Sequence, residues 1–134
     1  YERMIDSHYN LGKKMVFAGG IWTWCGFLPC QEFTTDTMIP AMKACLKKGV
    51  GDVFATAWED DGCETNHFLS LSFLPIFSEF CYLGETCTKE DIFSMSEFAV
   101  GISQKVTEAF SSFHISEIVL KYIHPDFWKY GLRI

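Results

Sequence analysis

Two predominantly apolar runs constrain the fold of this 134-residue chain more than any other feature of its sequence. The first extends from Lys14 to Trp22 and the second from Val50 to Trp58, and each has the length of a β-strand. Continuous apolar strands are typical of parallel sheets that are buried on both faces, whereas half-exposed strands alternate apolar and polar residues. The two runs therefore predict neighbouring strands of an α/β fold.

The segment between these strands predicts a loop followed by a helix. Residues 25–35 are expected to form the loop, and Thr35 or Asp36 can cap the free amides of a helix that begins there. This helix should end at Lys47-Lys48-Gly49, and Pro40 is expected close enough to its start to be tolerated. A strand, a helix and a second strand in this order form a parallel crossover unit.

The chain after the second strand is predicted to be helical. Residues 65–82 form an apolar pattern that indicates one long helix with a kink at Pro75. Residues 85–134 predict a helical appendix, whose first helix begins with a capping box formed by Thr88 and Asp91. The long helix is apolar almost all round, so more protein is expected to cover it.

Charge and hydropathy exclude two classes of partner. The net charge is −6 and the pI is about 5.1, so the chain lacks the clustered cations that nucleic acid binding needs. The longest apolar stretch, residues 68–77, is shorter than the ~20 residues that span a membrane. Residues 1–11 predict a helix, and no apolar signal-peptide segment occurs there.

The six cysteines and four histidines form no recognisable metal site or nucleophile motif. No C-x-x-C spacing occurs, and Cys63 with His67 is a single pair without companion ligands. We expect reduced thiols in a cytoplasmic protein, since most of the cysteines lie among apolar neighbours. No metal and no cofactor are expected, because Gly19-Gly20 also lacks the spacing of a phosphate-binding loop.

Tryptophan and acidic residues follow both predicted strands. Side-chain alternation predicts that these large groups lie above smaller residues: Gly20, Trp22 and Trp24 on the first strand, and Thr56, Trp58 and Asp60 on the second. Functional residues of α/β barrels gather at this end of the strands. An indole can stack on the apolar face of a sugar while a carboxylate accepts its hydroxyls, so the pattern favours a neutral sugar site. Ordinary packing at the top of a barrel remains an alternative.

Two segments, Phe17-Ala18-Gly19-Gly20-Ile21-Trp22-Thr23-Trp24-Cys25-Gly26-Phe27 and Ala55-Thr56-Ala57-Trp58-Glu59-Asp60-Asp61-Gly62, resemble the last two barrel strands of glycoside hydrolase family 20. Within that family they look most like bacterial exo-β-N-acetylhexosaminidases with a C-terminal helical domain. The resemblance covers residues 14–82 and implies a TIM (β/α)8 barrel. This chain would supply the last two βα units of that barrel in residues 1–84, followed by a helical C-terminal region in residues 85–134.

The resemblance also implies which residues bind the sugar: Trp22, Trp24, Trp58, Glu59, Asp60 and Asp61. Trp58 matches the indole that stacks on the terminal sugar in the family. Asp60 matches the acid that holds the outer hydroxyls, where the family usually has Glu, so Glu59 or Asp61 could take this role. Trp24 is the better candidate than Trp22 for a pocket wall.

The family reaction is substrate-assisted, because the 2-acetamido oxygen of the substrate attacks the anomeric carbon. An Asp orients the acetamide and the adjacent Glu protonates the leaving oxygen, but no Asp-Glu dipeptide occurs in this sequence. We therefore expect no catalytic residue here and no activity of the chain alone. The substrate, an N-acetylhexosamine-containing glycan, would be hydrolysed by a longer parent enzyme, and the isolated piece is expected to self-associate.

Two other hypotheses remain open at the level of sequence. The chain could be a non-enzymatic α/β and helical module that binds a protein partner through an aromatic surface, since two strands cannot bury so many apolar residues. It could also belong to a barrel hydrolase with another sugar specificity, because a fold does not fix a function.

Overall fold

A computed structural model describes residues 1–24, 28–58 and 65–109 of the chain. Within these ranges the protein is a mixed α/β fold, and its elements follow in the order α1 Glu2–Tyr9, β1 Val16–Ile21, α2 Gln31–Lys48, β2 Asp52–Ala57, α3 His67–Ser70, α4 Pro75–Leu83 and α5 Lys89–Val100. Short 3₁₀ turns, Leu71–Phe73 and Gly84–Thr86, precede and follow α4. Residues 104–109 are again helical. The rest of the predicted helical appendix, residues 110–134, lies outside the described residues.

The two predicted strands form a parallel pair, as their apolar composition indicates. Val16 lies opposite Asp52 at one end of the register, and Ile21 lies opposite Ala57 at the other. Among the described residues β1 and β2 pair only with each other. Because parallel strands end at the same edge of a sheet, the segments that follow Ile21 and Ala57 emerge side by side.

Helices cover one face of this sheet. That helix-covered face consists of Phe17, Gly19, Ile21, Val53 and Ala55. Ile21 belongs to the main hydrophobic core, and Phe17, Val53 and Ala55 pack against this core. Gly19 lies directly beneath side chains of the core. The core is filled mainly by α2, α4 and α5, whose buried residues include Met42, Phe80 and Ile92. Burial of these large side chains supplies most of the driving force for folding.

The opposite face, which we call the open face, carries the alternate residues Val16, Ala18, Gly20, Phe54 and Thr56. Val16 is 50% exposed and Phe54 is 51% exposed, although both are strand residues in the middle of an apolar run. The prediction of strands buried on both faces is therefore met on one face only within the structure described.

Helix α2 begins earlier than its sequence predicts. The structure places its first residue at Gln31, so residues 31–35 are helical and the predicted loop is wrong over this part. The Thr34 hydroxyl donates to the Cys30 carbonyl at 2.7 Å and accepts the Trp22 amide at 3.0 Å. This side chain therefore anchors the helix to the end of β1 instead of preceding the helix.

Pro40 lies inside α2 and not near its start, which corrects a second prediction. A proline inside a helix cannot donate to the carbonyl four residues earlier, here that of Asp36. Both residues are exposed, so water can solvate the carbonyl that loses its partner. The exposed position reduces the cost of the missing bond.

The apolar segment predicted as one kinked helix is instead two helices. Pro75 occupies the first turn of α4, where its missing amide hydrogen costs little, and the 3₁₀ turn Leu71–Phe73 separates α4 from α3. Asn66 precedes α3 and its side chain accepts the Phe68 amide at 3.0 Å. The predicted helix therefore also begins two residues too early.

The capping box of α5 is confirmed. The Thr88 hydroxyl accepts the Asp91 amide at 3.2 Å, and the Asp91 carboxylate accepts the Thr88 amide at 2.9 Å. These bonds from the Thr88 hydroxyl and backbone hold the pKa of Asp91 below its ordinary value. The helix ends at Gly101, whose φ of 70° suits glycine.

Helix α1 packs against the end of α2. Ile5 is buried in a small second core, while Glu2 accepts the Lys47 ammonium at 2.9 Å and Asp6 accepts the Lys48 ammonium at 2.8 Å. The helix predicted over residues 1–11 is thus confirmed with slightly shorter bounds. In the ranges that the structure describes, no helix is long and apolar enough to cross a membrane.

Candidate functional site

Trp24 lies on the open face, directly over Gly20. A Cβ atom added to Gly20 would be 2.9 Å from Cη2 of the Trp24 ring and 3.9 Å from the Thr56 hydroxyl. Gly20 and Thr56 are partners in the register of the sheet. Only a residue without a side chain lets the indole approach the strand this closely, so Gly20 forms the floor beneath Trp24.

Trp58 is fixed by its polar edge beside the same pair of residues. Its Nε1 donates to the Thr56 hydroxyl at 2.9 Å, and that hydroxyl donates to the Gly19 carbonyl at 3.2 Å. The Thr23 hydroxyl also donates to the Trp58 carbonyl at 2.8 Å, which joins the ends of the two strands. Trp58 is nevertheless 52% exposed, so its orientation is restrained while much of its surface faces water.

Trp22 lies against two other aromatic side chains and is less exposed than Trp58. Its ring centroid lies 4.1 Å from that of Trp24 and 3.8 Å from that of Phe33, in the first turn of α2. Its carbonyl accepts the Cys30 amide at 2.9 Å. Strand β1 ends at Ile21, so the alternation used to predict its direction does not extend to Trp22. Trp22 therefore packs between Trp24 and the first turn of α2.

These side chains form what we call the aromatic site: Trp22, Trp24, Phe33, Thr56 and Trp58. The structure brings together all three tryptophans that the sequence nominated. The nominated acids, Glu59, Asp60 and Asp61, lie outside the described residues. None of the five residues of the site carries a group that titrates near neutral pH, so they can bind and orient a ligand but cannot transfer a proton.

Two members of the aromatic site were not nominated from the sequence. Phe33 was assigned to a loop, although a helix that begins at Gln31 would have placed its first turn against the end of β1. Thr56 was placed on the correct face as a small residue, but its role as hydrogen-bond partner of Trp58 was not foreseen. A threonine two residues before an exposed tryptophan is too common a pattern to indicate this bond.

A concave region lies at the start of α2 and α5. It is a polar cavity of about 370 Å³, and none of its lining residues belongs to the aromatic site. The cavity is lined by Gln31, Glu32, Thr35, Asp36, Lys89, Phe93, Gln104 and Glu108. This cavity was not predicted, because most of the part of α2 that lines it was expected to be a loop.

The described part of the chain contains no grouping of side chains that could hold a metal ion. Within residues 1–24, 28–58 and 65–109, no three His, Cys, Asp or Glu side chains are grouped as a metal site. Cys45, Cys81 and Cys87 are free thiols. Burial raises the pKa of Cys45, and burial together with the nearby Asp91 carboxylate raises that of Cys87, so both favour the unreactive protonated form.

No protein-family model matches the chain, and no curated protein matches it either. The resemblance to glycoside hydrolase family 20 therefore rests on the two tryptophan-containing segments of the sequence alone.

Proposed function

We propose that this chain forms part of a (β/α)8-barrel glycoside hydrolase that removes terminal N-acetylhexosamine from glycans. Its contribution is the aromatic wall of the sugar site. One observation carries the proposal: Trp24 and Trp58 flank the Gly20–Thr56 pair where two parallel strands end. Parallel barrels bind substrates at this end of their strands.

The open face supports the assignment to a barrel. Val16 and Phe54 are half exposed, and the other open-face residues Ala18, Gly20 and Thr56 are small, as expected of an interior that side chains of other strands fill. An exposed apolar face and unpaired strand edges also favour self-association of the isolated chain. Sedimentation velocity is expected to show dimers or larger species, and a stable monomer at high concentration would contradict a barrel slice.

The aromatic site supports a sugar as the ligand. Trp58 is held through its ring nitrogen, so its apolar surface remains available to the C–H face of a pyranose. Trp24 packs against the Trp22 ring and against the backbone at Gly20, so it forms a second, restrained apolar surface. Rigid aromatic groups bind with little loss of conformational entropy. Asp60, with Glu59 and Asp61, is proposed to accept the sugar hydroxyls.

The proposed reaction places the catalytic Asp-Glu pair in another part of the parent enzyme. That pair orients the 2-acetamido group and protonates the leaving oxygen in a retaining, substrate-assisted hydrolysis. The residues of this chain position the sugar ring for that step. Hydrolysis of a chromogenic N-acetylglucosaminide by the purified 134-residue chain would show that this division of roles is wrong.

Kinetics of the full-length parent test the site directly. Trp58→Ala is expected to weaken transition-state binding by about 2 to 4 kcal/mol, which is the scale of a large-to-small truncation. Tyr82→Ala is the matched control, because Tyr82 is an aromatic residue that is 87% exposed on α4. Unchanged kcat/KM in Trp58→Ala would refute the stacking role. A larger loss with another glycoside than with the N-acetylhexosaminide would favour a different sugar specificity.

A second function, a module that binds a protein partner, is favoured by a different observation. Tyr82 on α4 and Phe98 on α5 are 87% and 86% exposed, and Phe68 on α3 is also largely exposed. The reading frame upstream of residue 1 separates the two proposals. A long upstream frame with an Asp-Glu pair after a strand favours the hydrolase, whereas a start codon immediately before Tyr1 favours the module.

A further inference from the structure

The chain turns away from the sheet at Trp22, directly after β1. The Trp22 amide donates to the Thr34 hydroxyl at 3.0 Å, and the Trp22 carbonyl accepts the Cys30 amide at 2.9 Å. Both backbone groups of Trp22 therefore bond to the start of α2, although the preceding Ile21 still belongs to the paired part of β1. The next residue, Thr23, connects this turn back to the end of β2 through its side chain.

The Thr23 hydroxyl makes this connection from a buried position. Thr23 is 3% exposed, and its hydroxyl lies 2.8 Å from the Trp58 carbonyl and 3.3 Å from the Ile21 carbonyl. A hydroxyl donates a single hydrogen, and the shorter distance favours the bond to Trp58. The bond joins the two strand ends beyond the last residue pair of the sheet.

Thr23 is also placed between the two sides of the aromatic site. Its chain neighbours are Trp22 and Trp24, whereas its side chain holds the backbone of Trp58. The ring nitrogen of Trp58 is held separately by the Thr56 hydroxyl at 2.9 Å. Two attachment points, one on the backbone and one on the ring, restrain both the position and the rotation of this half-exposed indole.

We infer that Thr23 is a positioning residue of the aromatic site, which sets the location of the Trp58 indole relative to Trp24. Because Thr23 is buried, it acts through Trp58 and not by contact with a ligand. A wall fixed before binding loses little conformational entropy when a ligand arrives. This inference rests on the proposed sugar site and adds a residue that the resemblance to glycoside hydrolases did not nominate.

A double-mutant cycle in the full-length parent tests whether Thr23 acts through Trp58. Thr23→Val keeps the shape of the side chain and removes the hydroxyl. We expect kcat/KM for an N-acetylglucosaminide to fall about tenfold, the scale of one hydrogen bond, mainly through a higher KM. In a Trp58→Ala background the same substitution should change kcat/KM less than about twofold, since its target is gone. A tenfold loss in both backgrounds, or no loss in either, would overturn the inference.

Two variants distinguish positioning from a general effect on stability. Thr23→Ser retains the hydroxyl and should keep kcat/KM close to that of the wild type. Thr107→Val is the matched control, because Thr107 is 2% exposed and its hydroxyl donates to the Gln104 carbonyl of its own helical segment at 2.9 Å. It is expected to leave kcat/KM unchanged. An equal loss in Thr107→Val, or no rescue by Thr23→Ser, would contradict a positioning role.

The indole N–H resonance of Trp58 in the nitrogen-labelled 134-residue chain gives a readout that does not depend on activity. Thr23→Val is expected to shift this resonance and to speed its exchange with water, whereas Thr107→Val should alter neither. If the wild-type parent does not hydrolyse the N-acetylglucosaminide, the proposed function is wrong, but a shifted Trp58 resonance still supports positioning by Thr23. If the resonance is unchanged in Thr23→Val, the inference is wrong even though the parent is active.

Discussion

The helix-covered face and the open face of the sheet come from alternate residues of the same two strands, yet they carry different groups. On the helix-covered face, the absence of a side chain at Gly19 lets core side chains pack closely against the strand, and Ile21 is buried beside it. On the second, Gly20 admits the Trp24 ring, and Phe54 is half exposed. One face thus supplies stability, while the other is available for binding. Substitutions on each face measure how completely these roles are separated.

The largest expected difference comes from removing one phenyl ring on each side. Phe80, on α4, is 1% exposed in the core under the helix-covered face, and Phe80→Ala is expected to lower the free energy of unfolding by about 3 to 5 kcal/mol. Phe54→Ala, on the open face, removes an equal ring that is half in water and should cost less than about 1.5 kcal/mol. Urea unfolding measures both. Equal losses would mean that the open face is covered.

The adjacent glycines provide a finer comparison. A Cβ at position 19 would lie 2.6 Å from Phe77 Cε1 and 2.8 Å from Met38 Sδ, so Gly19→Ala is expected to cost about 1 to 3 kcal/mol through overpacking. Gly20→Ala should cost less, because the obstructing atom is the far end of the Trp24 side chain. Its main effect is displacement of that ring, which tryptophan fluorescence detects. A larger loss of stability in Gly20→Ala would reverse the comparison.

A smaller effect is expected where a hydroxyl on the open face orients Trp58. Thr56→Val keeps the shape of the side chain but removes the acceptor for the indole nitrogen and the donor to the Gly19 carbonyl. The expected loss is about 0.5 kcal/mol, the low end for a hydrogen bond, since Trp58 is exposed. Fluorescence anisotropy should show a more mobile indole in the unchanged fold. Thr23→Val, which removes the bond to the Trp58 carbonyl, is the companion variant.

The smallest effect is a pH dependence confined to the helix-covered side. Bonds to Thr88 lower the pKa of Asp91 in the folded state, so its contribution to stability is full above the ordinary value of 3.8 and disappears as pH falls through the lower folded value. Asp91→Asn should flatten the stability profile in that acidic range. Nuclear magnetic resonance should show that this substitution removes acid-induced shifts near Ile92 of α5 and leaves those at Trp58 unchanged. The reverse pattern would contradict a separation of the two faces.

The elements that are marked by a clear sequence pattern were predictable. The apolar runs gave both strands and their parallel pairing, and Thr88 with Asp91 gave the start of α5, because each feature is local and has few alternatives. The three tryptophans were nominated for the end of the sheet where they lie. For these elements local preference and tertiary structure agree.

The start of α2 was mispredicted because tertiary contacts override its local pattern. Gln31, Thr34 and Thr35 are polar residues typical of a loop or cap, but all three are buried in the helix. The Thr34 hydroxyl bonds to the end of β1, a contact with no counterpart in the nearby sequence. Phe33 and the polar cavity were missed for the same reason, since both depend on this extra helical turn.

The attachment of α1 has a consequence for the response of the protein to salt. One buried isoleucine and two solvent-accessible ion pairs, Glu2–Lys47 and Asp6–Lys48, hold this helix against α2. Added electrolyte screens such pairs over distances of about 8 Å at physiological ionic strength, but scarcely affects the burial of Ile5. Helix α1 is therefore the element whose detachment depends most directly on ionic strength. Concentrated salt should therefore loosen α1 before it affects the β1–β2 core.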